Sequence, residues 1–168
     1  ADEATVTVSP SGNGVPVPVP EIDVAPLSLN FGDVFIGSDT AQTVTIANTG
    51  SADLEESGIA LGAGSSGEFS INAAPSLPAV IVPGANITVE VIYSPTDATA
   101  DTGTLVIGSS DADEASVTVS LSGNGVAVPV PEIDVTPLSL GFGDVFIGSD
   151  LTQVVTIANT GSADLEVS

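Results

Sequence analysis

The sequence predicts an all-β protein built from tandem antiparallel β-sandwiches of about seven strands each. Three observations lead there. Apolar residues recur at every second position through most of the chain, which is the period of a half-buried strand, and no helical period is sustained. Turn residues interrupt this alternation at short intervals: Asn48-Thr-Gly-Ser, Gly62-Ala-Gly-Ser-Ser-Gly, Pro83-Gly, Pro95-Thr-Asp and Ser110-Asp-Ala-Asp. The chain also repeats itself. Residues 1–57 align without gaps on residues 112–168, and 48 of those pairs are identical. Short strands separated by turn signals indicate a sandwich of immunoglobulin type.

The strands follow in order. Strand A is expected over 21–31, with Pro26 marking an edge strand that switches sheets, since proline cannot donate to a central ladder. Strand B (42–48) turns Val44 and Ile46 inward and Thr43 and Thr45 outward. Strands C (54–61) and D (68–72) follow the same period. Strand E (86–93) places Ile87, Val89, Val91 and Tyr93 on one face, with Thr88 and Glu90 on the other. Strands F (103–108) and G (115–122) close the unit, and Val117, Val119 and Leu121 point inward from G.

Repetition sets the domain organisation. Residues 1–19 are expected to hold the last strand of a preceding repeat and a Val-Pro linker. Residues 20–130 form one complete sandwich, and residues 131–168 begin the following one as strands A to C. The stretch Gly12–Val24, GNGVPVPVPEIDV, returns as Gly123–Val135, GNGVAVPVPEIDV. Gly-Asn-Gly is expected to end the outgoing strand. Prolines at alternate positions fix φ and remove donors, so Val15–Pro20 and Val126–Pro131 are expected to be stiff extended spacers.

Composition excludes several functions. The chain has 22 Asp and Glu and no Lys, Arg or His, a formal charge of −22. Nucleic-acid binding needs cations against phosphate, so it is not expected. No apolar run is long enough to cross a bilayer, and no direct membrane insertion is expected of this segment. Without His, Cys or Lys the usual bases, thiolates and Schiff-base amines are missing, which argues against an enzyme. A Lys–Asn isopeptide staple is impossible, and a Gln–Thr ester would have only Gln42 and Gln153 to draw on.

The blocks Leu29–Ser38 (L-x-F-G-x-V-x-I-G-x, again at Leu140–Ser149), Ile46–Gly50 (I-x-N-T-G) and Leu121–Gly125 (L-S-G-N-G) carry a family resemblance. The whole repeat resembles the abnormal-spindle/hydin (ASH) class of immunoglobulin-like domains, related to the major sperm protein fold. Bacterial versions occur in tandem in surface-anchored, choice-of-anchor proteins. The resemblance implies a β-sandwich, an extracellular or cell-surface setting in a bacterium, and a scaffold role. It brings no catalytic residues.

The sequence is compatible with three functions: a structural repeat of a long fibre or stalk, an adhesin module gripping a glycan or protein with its loops, and a filament subunit that polymerises by strand exchange. Near-identity of the repeated portions favours the first. Expected partners are neighbouring repeats of the same protein and other copies of the fibre. The acids supply one candidate site. Asp33, Asp39, Asp97 and Asp101 are expected at the end where strand G leaves, facing Glu132, Asp134 and Asp164 of the next repeat. Hard oxygens from two sides suit Ca²⁺. The other reading is a solvated acidic surface that keeps a fibre soluble.

Overall fold

A computed structural model of the chain describes residue 5 and residues 7–167, and it is β throughout. Nine strands between Ile22 and Val126 form a two-sheet sandwich. One sheet runs β1 (Ile22–Ala25), β3 (Thr40–Asn48), β7 (Asn86–Tyr93), β5 (Phe69–Ala73). The other runs β2 (Ser28–Phe35), β9 (Ser116–Val126), β8 (Ala100–Ser109), β4 (Leu54–Leu61), β6 (Ala79–Ile81). Pro26 falls between β1 and β2. Before it the chain pairs antiparallel with β3; after it the chain crosses to the other sheet and pairs with β9. Strand A therefore switches sheets, as its proline indicated.

Three features depart from expectation. The β2–β9 pair is parallel, whereas all pairs were expected to be antiparallel. These strands lie a whole unit apart in sequence, so no hairpin forces them to oppose each other. The unit has nine strands rather than about seven, because A is two strands and Ala79–Ile81 adds β6 on β4. A strand of three residues, in the four between Pro78 and Pro83, is too short to show alternation. Finally, Gly123-Asn-Gly does not end the last strand, since β9 continues to Val126.

Alternation fills the core as expected. Val44, Ile46, Val89, Val91, Leu105, Ile107 and Val119 are fully enclosed between the sheets. Phe31, Phe69 and Tyr93 stack at one end with ring centroids 4.9–5.7 Å apart.

Residues 131–167 form only a two-stranded ribbon, β10 (Ile133–Thr136) with β11 (Thr156–Asn159). Of the expected A to C strands, this realises the start of A and the end of B. The strand expected in residues 1–9 lies largely outside the described residues, and residues 7–21 form no strand.

Candidate functional site

The two ends of the sandwich are where the linkers attach. At the entry end, the turn after β3 grips the incoming chain. The Val19 carbonyl accepts from the N–H groups of Ser51 and Ala52 at 2.8 and 3.0 Å, and the Val19 N–H donates to Ser51 Oγ at 3.2 Å. The Thr49 N–H donates to the Glu21 carbonyl at 2.8 Å. Gly50 is required here: a Cβ on it would lie 2.5 Å from both Val19 O and Glu21 N. Buried Asn48 ties the turn down. Its Nδ2 donates to the Ala52 and Ile81 carbonyls at 2.7 Å each, and its Oδ1 accepts from the Gly50 N–H at 3.0 Å.

The exit end holds the outgoing strand by other means. The Ile36 N–H donates to the Val126 carbonyl, and the Gly125 N–H to the Thr99 carbonyl, both at 2.9 Å. A Cβ on Gly123 would lie 2.5 Å from the Tyr93 ring, and one on Gly125 would overlap the Asp97 carbonyl. The glycines of Gly-Asn-Gly thus admit the β7–β8 loop against the strand. The entry grip recurs on the next copy: the Ser162 and Ala163 N–H groups donate to the Val130 carbonyl at 2.8 and 3.1 Å. Between the last bond of one copy, at Val126, and the first of the next, at Val130, only Ala127, Val128 and Pro129 are unheld. The six-residue spacer expected over Val126–Pro131 is in effect half that length.

No three of the seven predicted site acids bring their carboxylate oxygens within 4.8 Å of one another among the described residues. Asp33 Oδ1 accepts from Asn124 Nδ2 at 2.8 Å. Asp39 is exposed in the β2–β3 loop. Asp97 accepts from the Thr99 hydroxyl, and Asp101 Oδ2 from the Tyr93 hydroxyl at 2.7 Å. Burial alone would lift the Asp101 carboxyl, but hydrogen bonds with Ser66, Tyr93 and Glu68 hold it below the ordinary aspartate value. The same burial and the Asp101 bond push the Tyr93 phenol up. Glu132, Asp134 and Asp164 are exposed.

Among the described residues, the acids that do meet in a group of three are Glu21, Asp111 and Asp113, with carboxylate oxygens within 4.8 Å of one another. This group lies at the entry end. Asp111 is buried and accepts from the Ile22 N–H at 3.0 Å, a bond that lowers its pKa, while Asp111 and Asp113 together raise that of Glu21. Glu21 and Asp111 stand 90 positions apart in the sequence, and the closed sandwich brings them together. Gln42 and Gln153 donate their amides to the carbonyls of Asn30 and Gly141, an ordinary arrangement. An open depression of about 480 Å³ beside the β4–β5 loop is lined by Ser65, Thr102, Thr104, Ser120 and Ser122 and has no titratable group.

Residues 19–126 match the family model of Cep192 domain 4. No curated protein matches the chain. Among solved structures, the Vibrio cholerae VesB protease is similar over 62% of this chain and 31% of its own, at 18% identity and a TM-score of 0.51. A protein of unknown function from Porphyromonas gingivalis W83 is similar over 64% of this chain and 46% of its own, at 15% identity and a TM-score of 0.51. The ASH/PapD-like domain 7 of human CEP192 aligns over 74% of this chain and 99% of its own, at 12% identity and a TM-score of 0.47. The chain thus spans less than half the length of the first two, and the likeness is one of fold.

Proposed function

Because the chain belongs to the Cep192 domain 4 family of ASH/PapD-like, immunoglobulin-like β domains, we propose that it is a non-enzymatic repeat of a long extracellular or cell-surface stalk. The observation that carries this reading is the grip on both ends of the linker. Backbone bonds from the sandwich on one side and from the turn after β11 on the other leave three residues free, one of them proline. A binding module on a tether would gain from a flexible linker, whereas a stalk needs a fixed step. Near-identity of the repeated portions supports uniform stacking. The acid-only surface fits an exposed, soluble fibre. Its partners are then the neighbouring repeats and other copies of the fibre.

Electron microscopy of the full-length protein tests this. A strand of eight residues is about 26 Å long, so loops and linker give an axial step of roughly 40–50 Å. Straight beaded filaments with that spacing are expected; compact or randomly coiled particles would overturn the reading. An adhesin is the second reading, and it draws on the hydroxyl-lined depression at Ser65 and Thr104. Glycan-array binding that is lost on Ser65→Ala and Thr104→Ala would favour it.

A further inference from the structure

Glu56 is a core residue with a carboxylate. It lies on β4 with the alternation Leu54 in, Glu55 out, Glu56 in, and it is 0% exposed. Both its oxygens are buried and neither has a hydrogen-bond partner. A bulge fixes this orientation: Glu56 stands opposite Ser109 while Gly58 stands opposite Gly108, leaving Ser57 as the extra residue. The Ser57 hydroxyl donates to the Gly108 carbonyl at 3.1 Å and keeps the bulge in place. The repeat supplies an independent reading of the position. Its counterpart 111 residues on is Val167, the one substitution among the pairs from 44 to 57. Val167 is itself exposed and in no strand, so the pair shows an apolar residue at the sequence position where this copy has a titratable one.

No cation exists anywhere in the chain to pair with Glu56. β8 and β6 flank β4 within its sheet, and β5 packs on it from the other sheet. β6 and β5 carry no titratable group, and β8 carries only Asp101, engaged with Tyr93 at its far end. On β4 itself, Glu55 points to solvent. The turn beyond β8 adds Asp111, Asp113 and Glu114, all of the same sign. Every surrounding influence, burial foremost, disfavours the ionised form.

We propose that Glu56 is a proton-sensing position: the sandwich is built around its neutral acid, and ionisation loosens the β6–β4–β8 edge of the five-stranded sheet. Burial pushes the Glu56 carboxyl up from 4.5 to about 7. A raised carboxylate pKa means that the folded state holds more protons than the unfolded chain between those values. Stability is therefore fully present below about pH 4.5, falls as pH rises towards 7, and stays low above it. Glu21, raised by Asp111 and Asp113, also contributes to the pH dependence, so the Glu56 part is the difference in slope between wild type and the Glu56 variants from pH 5.5 to 8. A mildly acidic setting would stiffen this repeat, and a neutral one would relax it.

The test is thermal melting of the whole chain at pH 5.5 and pH 8, at fixed ionic strength. The wild-type Tm should fall by on the order of 10 °C between them. Glu56→Val, the residue of the other copy, and Glu56→Gln should both lose that slope, while Glu55→Gln should keep it. A carboxyl NMR titration should place the Glu56 midpoint near 7. Equal slopes in wild type and Glu56→Val, or a midpoint below 5, would overturn the proposal.

Discussion

Residues 20–57 and 131–167 have nearly the same sequence and end in different structures. Some features survive in both. β10 pairs with β11 in the register of β1 with β3, Ile133 opposite Asn159 as Ile22 is opposite Asn48. Gly37 and Gly148 hold φ of 82° and 86° and close the same turn, with Ser38 donating to Phe35 and Ser149 to Phe146. The grip on Val19 and Val130 is likewise common to both. What differs is everything built by distant strands. Leu29 is 2% exposed, whereas Leu140 is 36% exposed, and the counterpart of β2 forms no strand. In the first copy β2 pairs with β9, almost a hundred residues away. Turns, register and linker grip are therefore locally encoded, while the outer strand and the core require residues 58–126.

Substitutions in paired positions sharpen this division. The largest contrast is expected for Leu29→Ala, which empties a filled site and should cost about 3 kcal/mol. Leu140→Ala should leave the melting of the sandwich unchanged. Gly123→Ala comes next, at roughly 2 kcal/mol, because its Cβ meets the Tyr93 ring. Gly12→Ala has nothing within 4 Å and should be silent. Asn48→Ala strips hydrogen bonds from buried groups and should cost about 1–2 kcal/mol, whereas Asn159→Ala, lacking the bond to a β6 carbonyl, should not shift the main transition. Differential scanning calorimetry on each pair checks these values. An equal effect within any pair would show that the second copy has a core of its own.

Cations should have the smallest effect. Exposed charges interact over a Debye length of about 8 Å at 0.15 M salt. The surface acids should therefore respond to ionic strength, with Ca²⁺ and Mg²⁺ raising Tm equally when it is matched. An excess effect of Ca²⁺, abolished by Asp39→Asn and Asp134→Asn, would instead establish a junctional metal site.

Most of the fold was legible because it is written at period two, and the sheet switch was legible at Pro26. The extension of β9 was not. Glycine reads locally as a strand terminator, but here Tyr93 and Asp97 need neighbours without a Cβ, a requirement set by β7 and the loop after it. β6 was hidden by its length. Glu56 left a trace in both its inward phase and its exchange for Val167, yet its burial depends on β6 and β8 pairing on either side of β4 and on the second sheet facing it. The meeting of Glu21 with Asp111 needs the two ends of the unit to come together, and that is a property of the closed sandwich.

The central claim is that the copies are joined by three free residues gripped from both sides. Pulsed electron–electron spin resonance on two consecutive complete units, with one spin label on β7 of each, measures this directly. A single narrow distance distribution is predicted, broadening when Gly161→Val breaks the grip on Val130. A broad distribution already present in the unaltered protein would contradict the account.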